Sequence, residues 1–173
     1  LRVGVLPSPV SVDWDDDGWV DLFQATDFGA NALYRNIDGS GRFEDLLPGL
    51  GAAPFNHAMG VAVADLDRDG LLDVYVTDLG PNQLWFGIPG GLQDRARRLG
   101  VADMTALAST WSPIAEDFDA DGWIDLFVPA SATAPSIDVF CEVMAMGQRV
   151  IADYPQRDFL LVADREGSFT ISS

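Results

Sequence analysis

Three stretches of the chain place carboxylates at fixed intervals around a glycine. Asp13, Asp15, Asp17 and Asp21 surround Gly18; Asp65, Asp67, Asp69 and Asp73 surround Gly70; Asp117, Asp119, Asp121 and Asp125 surround Gly122. Each copy reads D-x-D-x-D-G-x-x-D and ends on a hydrophobic residue. The copies start at 13, 65 and 117, so both spacings are 52. Acids at alternate positions can turn their carboxylates into one concavity, and glycine at the sixth place permits the sharp turn that closes it. The backbone carbonyl of the seventh residue, Trp19, Leu71 or Trp123, can add an oxygen, and the ninth-position Asp can add one or two more. This is a hard, all-oxygen cage of the kind that holds Ca2+, and three such sites are expected. Magnesium fits less well, because its octahedral demand keeps more of its waters. Without a cation, the four carboxylates of a loop repel one another.

An EF-hand loop begins in the same way, but its twelfth position is Glu. Here those places hold Gln24, Val76 and Val128, and the flanks read as strands rather than helices. One such stretch could be an ordinary acidic turn; three intact copies argue against it.

The same loops explain the charge. The chain of 173 residues carries 27 acids against 10 bases, all of the bases arginine, for a formal net charge of −17. Of the acids, 23 are Asp and 4 are Glu, a skew toward turns and metal loops. Setting the twelve motif aspartates aside leaves a balance of −5, and three bound Ca2+ would bring the whole to −11. Such a chain repels phosphate, which excludes a nucleic-acid surface. No apolar stretch is long enough to cross a membrane, so no membrane insertion is expected. The single Cys141 excludes an intramolecular disulfide and a cysteine zinc cluster. The chain opens at Leu1 without a start Met or a signal-like segment, which suggests a mature chain or a fragment.

The elements that position the loops read as short strands. Gly60–Ala64 runs into the second loop, and Leu72–Thr77 leaves it, rich in β-branched and aromatic residues. Asp78-Leu79-Gly80-Pro81-Asn82 is a turn cluster. Gln83–Phe86 is a third strand, Ile88–Gly91 turns again, and a weaker fourth strand or irregular segment follows. Outside the loops, Asn31-Ala32-Leu33-Tyr34 matches Asn82-Gln83-Leu84-Trp85, Phe43-Glu44-Asp45 matches Leu92-Gln93-Asp94, and Leu50-Gly51 matches Leu99-Gly100. The third copy resumes late, at Asp158-Phe159-Leu160-Leu161, so it carries an insertion over about residues 130–156. A short helix around Ile137 to Met146 is expected inside it. Four short strands per 52 residues is the size of a β-propeller blade. The expected fold is therefore all-β, with about three blades of four antiparallel strands. A ring needs roughly 4 to 8 blades, so these belong to a larger propeller. The insertion follows the second strand of its blade, which puts it on the face opposite the Asp loops. Long loops there are where a partner would bind.

The loop, flanked by Val61-Ala62-Val63-Ala64 and Asp73-Val74-Tyr75-Val76-Thr77-Asp78, resembles the FG-GAP/VCBS repeat of integrin-alpha-like β-propellers. Asn31-Ala32-Leu33-Tyr34-Arg35-Asn36, followed by Gly39 and Phe43, is similar to bacterial FG-GAP proteins of the ASPIC/UnbV (cartilage acidic protein-like) type. The resemblance covers nearly all of residues 1–173 as a partial propeller, with calcium loops at 13–21, 65–73 and 117–125. It implies Ca2+ in the first inter-strand loop of each blade, held by the residues named above. It also implies a secreted, periplasmic or cell-surface protein, often for adhesion or ligand binding.

The function expected is a calcium-binding extracellular module that recognises a protein or carbohydrate ligand, with calcium mainly structural. The remaining blades of a parent chain, or other domains, are further partners. No catalysis is expected: His57 has no Ser or Cys partner in a recognisable motif. Two alternatives remain open, a calcium-dependent polysaccharide lyase or hydrolase on the same scaffold, and a purely structural repeat unit. Other residues read blandly. Cys141 looks like a small buried hydrophobe. Trp14, Trp19 and Trp123 look like packing between blades, and Trp111, the counterpart of Met59, like core. Arg95, Arg97 and Arg98 look like a solvated basic patch. Glu116 with Asp117 could pass for a carboxylate pair, but Asp117 already belongs to a loop.

Overall fold

The computed structural model describes residues 5–27, 29–52, 55–106, 108–131, 158–164 and 168–172. Strands β1 (Val5–Val12), β2 (Asp21–Asp27), β3 (Gly29–Ala30), β4 (Ala32–Asn36) and β5 (Phe43–Asp45) form the first repeat. The second comprises β6 (Phe55–Asn56), β7 (Gly60–Ala64), β8 (Asp73–Thr77), β9 (Gln83–Ile88) and β10 (Gly91–Asp94), closed by a short helix α1 (Val101–Thr105). The third comprises β11 (Ser109–Thr110), β12 (Ile114–Glu116), β13 (Asp125–Val128), β14 (Ala130–Ser131), β15 (Phe159–Ala163) and β16 (Phe169–Ser172). Three four-stranded antiparallel sheets result, in the orders β1-β2-β4-β5, β7-β8-β9-β10 and β12-β13-β15-β16. The fold is all-β and blade-like, as the 52-residue period implies.

Alternation within the second sheet shows why the blades stack. Along β8, Val74 and Val76 point into a core shared with Phe23, Ala25 and Leu33 of the first sheet. Tyr75, between them, points into a core shared with Leu126, Val128 and Leu161 of the third. Along β9, Trp85 joins the first core, and Leu84 and Phe86 join the second. Side chains of a strand alternate between its two faces, so a strand covered by a neighbour on each side reads as a continuous hydrophobic run. All five residues of β8 are buried accordingly. The inner strands lie side by side, β7 against both β1 and β12.

In each sheet the Asp loop joins the first strand to the second. By antiparallel order, the loops after second strands emerge at the opposite end. There β13 leads into the repeat-three insertion, and the chain returns at Asp158. Most of the insertion, with the expected helix at Ile137–Met146 and Cys141, lies outside the described residues.

Two local readings differ from the structure, and one left open is decided by it. The fourth element of repeat two, expected as a weaker strand or an irregular segment, is a regular strand, β10, paired with β9 from Gly91↔Ile88 to Asp94↔Trp85. It is followed by α1, whose five residues are too short to leave a helical period in the sequence. Trp111 is 45% exposed although its counterpart Met59 is buried. β7 has a neighbouring sheet on each side, whereas β12 ends the row among the described residues, and Ile114 and Phe118 are exposed beside it. Trp19, read as inter-blade packing, instead leans on the β4–β5 turn of its own blade, its ring against Gly39.

Candidate metal centres

The three Asp loops share one backbone path. The sixth-position glycines have φ of +87° at Gly18, +88° at Gly70 and +91° at Gly122. The fourth positions are also left-handed, with φ of 58° at Asp16, 60° at Arg68 and 62° at Ala120. A non-glycine residue seldom adopts that region, so three in register mark a built turn. No residue pattern announces it, since Asp, Arg and Ala share no preference there.

The first-position carboxylate organises each turn. Asp13 accepts from the amides of Asp17 (3.1 Å) and Gly18 (2.9 Å). Asp65 accepts from Asp69 (3.1 Å) and Gly70 (3.0 Å), and Asp117 from Asp121 (3.1 Å) and Gly122 (2.9 Å). The fifth-position carboxylate then accepts from the seventh-position amide: Trp19 to Asp17 (2.9 Å), Leu71 to Asp69 (2.8 Å), Trp123 to Asp121 (2.9 Å).

The ninth-position acid does something else. Asp21, Asp73 and Asp125 are fully buried, and both oxygens of each accept a backbone amide. One comes from the loop's second residue: Trp14 (2.8 Å), Leu66 (2.7 Å) or Phe118 (3.0 Å). The other comes from the third strand of the same sheet: Asn36 (2.7 Å), Gly87 (2.8 Å) or Ala163 (2.9 Å). Each ninth Asp thus fastens the loop to its sheet. Gly87 is small for the same reason, since a Cβ there would lie 2.8 Å from both Leu71 Cβ and the Leu72 carbonyl oxygen.

Carboxylate oxygens come within 4.8 Å of one another in three groups: Asp13 with Asp15 and Asp17, Asp65 with Asp67 and Asp73, and Asp117 with Asp119 and Asp125. Asp21, Asp69 and Asp121 fall outside these groups. The donors fit a hard cation. Asp67 Oδ1 is buried without a hydrogen-bond partner inside the second group, an acceptor a cation would satisfy. Burial, with Asp67 and Asp65 nearby, holds the Asp73 carboxyl up at about 7, against the pull of the Gly87 and Leu66 amides. A bound cation would reverse that balance. The carbonyls of Trp19, Leu71 and Trp123 belong to the residue after each left-handed glycine, where a loop of this shape offers its backbone oxygen.

Arginines distinguish the sites. Arg35, on β4, places Nε 2.6 Å from Asp15 Oδ2 and Nη2 3.2 Å from Asp17 Oδ2. The Asp15 charge, foremost, raises its already high pKa. Arg95 places Nη1 3.0 Å from Asp67 Oδ2 and lies over the Phe86 ring, 4.4 Å from its centroid. Arg95 is therefore not part of a solvated patch, whereas Arg97 and Arg98 are exposed. Their pairing with loop acids is long-range and has no sequence signature. Arg68, at the fourth place of loop two, covers Trp123 of loop three at 5.4 Å, so Trp123 does pack between blades. On the opposite face, His57 Nδ1 lies 3.5 Å from Asp27 Oδ1, far from the loops.

The FG-GAP-like repeat model matches residues 13–76 and 67–128, one match for each span from loop to following loop. Mouse cartilage acidic protein 1 is 33% identical over 109 residues, which are 62% of this chain and 17% of that protein. The frog (Xenopus tropicalis) and human proteins of the same name are each 32% identical over 109 residues. The chain thus matches less than a fifth of the length of these relatives.

Proposed function

The chain belongs to the FG-GAP-like repeat family, and from that premise we propose that it is a calcium-stabilised propeller module for recognition outside the cell. One observation carries the reading: three loops of the same handed path each gather carboxylate oxygens within 4.8 Å. Calcium is the cation of choice because the donors are all oxygen and calcium accepts irregular oxygen geometries, where magnesium demands a near-ideal octahedron. Its role is structural. Each site ties the turn between the first two strands of a blade, next to the Asp that fastens the loop to the third. Extracellular modules hold calcium at roughly 10⁻⁴ to 10⁻³ M, which suits the calcium-rich outside. The relatives are named cartilage acidic protein, and this chain is acidic too. The ligand is a protein or glycan, and the face opposite the loops, where the insertion leaves the third blade, is the place for it. The module acts by binding, without a chemical step.

Melting in calcium against melting in EGTA tests the reading. At a hundredfold excess over Kd, calcium adds about 2.7 kcal/mol per site, enough to raise Tm by several degrees. Identical melts in the two buffers would sink it. A screen of acidic and neutral glycans for cleavage products separates binding from the lyase or hydrolase alternative, since reproducible turnover would establish an enzyme.

A further inference from the structure

We propose that Arg35 is a tethered cation occupying site one, so that calcium must displace it and loop one binds the metal more weakly than loop three. The inference rests on the calcium reading above and adds an order among the three sites.

Four observations support it. First, the Arg35 guanidinium straddles two ligand positions, at 2.6 Å from Asp15 and 3.2 Å from Asp17. Second, the cluster at loop one differs in membership. Asp17, in the fifth position, joins Asp13 and Asp15, whereas at loops two and three the fifth-position Asp69 and Asp121 stay out and the ninth-position acids come in. A positive group between Asp15 and Asp17 draws the two together as a metal would. Third, both Asp17 oxygens are engaged, Oδ1 by the Trp19 amide and Oδ2 by Arg35.

Fourth, among the described residues loop three has no arginine at the matching positions, and Arg68 of loop two, which reaches toward Gly122 and covers Trp123, makes no ion pair with the loop-three acids. Tyr34 pairs with Leu22, Trp85 with Val74, and Leu161 with Leu126. The next residues, Arg35, Phe86 and Val162, are therefore structural counterparts. Asp94 pairs with Trp85 and Ile171 with Leu161, so the counterpart of Arg95 in the third sheet is Ser172. Neither arginine position is basic at loop three. Loop two is intermediate: Arg95 holds one oxygen of Asp67 and leaves the other without a partner.

Displacing a guanidinium from two carboxylates, or keeping it beside a divalent ion, weakens the ion's net attraction. The amides of Gly18, Gly70 and Gly122 each bond their own loop's first Asp, so each reports its own site. We expect a calcium titration of the intact chain, followed by the two-dimensional amide NMR spectrum, to move Gly122 at lower calcium than Gly18. Arg35→Gln should tighten the Gly18 midpoint about tenfold and leave Gly122 unchanged, while Arg35→Lys stays near the parent. Val162→Arg provides the converse, weakening the Gly122 midpoint alone. It also keeps the test decisive if Arg35→Gln does not fold. An unchanged or weaker Gly18 midpoint in Arg35→Gln, or an unchanged Gly122 midpoint in Val162→Arg, overturns the proposal. If no glycine amide responds to calcium in any variant, the calcium reading itself falls.

Discussion

On the face that carries the Asp loops, three turns repeat to within a few degrees at the fourth and sixth positions. On the opposite face, the turns after the second strands share one local bond and an antiparallel bridge to another segment, but not a common length. There an amide at or just past the end of the second strand donates to the side chain of the residue that precedes the third: Thr26 to Asn31 (2.9 Å), Asp78 to Asn82 (3.0 Å), Ala130 to Asp158 (2.9 Å). The spans closed by that bond are 5, 4 and 28 residues. An Asp loop is held throughout by contacts with its own neighbours and with the third strand, so its length cannot change. The other turn lacks such an internal set of bonds: beyond its base it pairs with other segments, β3 with β6, Leu79 with Ser109 and β14 with β11, so its length can differ between repeats. Sequence identity between repeats therefore measures how many bonds a turn makes to itself.

The largest effect that would test this contrast lies within a single loop. Asp73 and Asp69 look alike in sequence, but Asp73 fastens two buried amides and Asp69 accepts one exposed amide. In EGTA, Asp73→Ala should cost about 2–4 kcal/mol, because two buried donors lose their acceptor. Asp69→Ala should cost under about 1 kcal/mol in EGTA, because only one exposed amide loses its acceptor. Chemical denaturation in EGTA measures both, and equal losses would erase the distinction between the acid that fastens the loop to its sheet and the acid that only closes the turn.

A smaller effect should distinguish the opposite face. Asn82 is buried; it accepts from the Asp78 amide and from Thr110 Oγ1 (2.6 Å), and donates to Tyr75 Oη (2.7 Å). Asp158 holds the base of the insertion from an exposed position. We expect Asn82→Ala to lose about 2–3 kcal/mol and Asp158→Ala less than about 1 kcal/mol. A loss at Asp158 as large as that at Asn82 would mean that the base of the insertion is a structural joint and not merely a closure point.

The parts legible in the sequence were those made by neighbours. The loops, the blade period and the order of strands around Gly60–Thr77 all depend on residues a few positions apart. What escaped was long-range. Nothing near Arg35 or Arg95 announces that each reaches a loop acid 18 or 28 residues away. The ninth Asp matched a ligand pattern, and its second task, fastening Asn36, Gly87 or Ala163, exists only once the third strand is in place. Trp19 and Trp111 were misplaced for a related reason: an aromatic side chain signals burial but not which neighbour supplies it, and for Trp111 the row of sheets ends on one side. The matching pairs Leu50-Gly51 and Leu99-Gly100 did carry over, both glycines having positive φ at 81° and 76°.

The smallest effect concerns charge on the face without metal loops. Asp78 is buried, and burial raises its carboxyl pKa, with Asp27 adding to the rise. The amides of Leu79 and His57 and the nearby His57 side chain oppose it. An unfolded Asp releases its proton near pH 4, so from there upward the folded chain binds more protons at this position than the unfolded one. Stability contributed by Asp78 must then fall as pH rises through that window, the reverse of the behaviour of a salt-bridged carboxylate. Asp78→Asn keeps an acceptor for the Leu79 and His57 amides but has no proton to lose. It should match the parent near pH 4 and melt above it at pH 7, by about 2–4 °C at most for a chain of this size. Tm measured from pH 4 to pH 8 in EGTA decides the point, and parallel curves for the two proteins would show that Asp78 ionises without cost and that this face, unlike the loop face, stores no electrostatic strain.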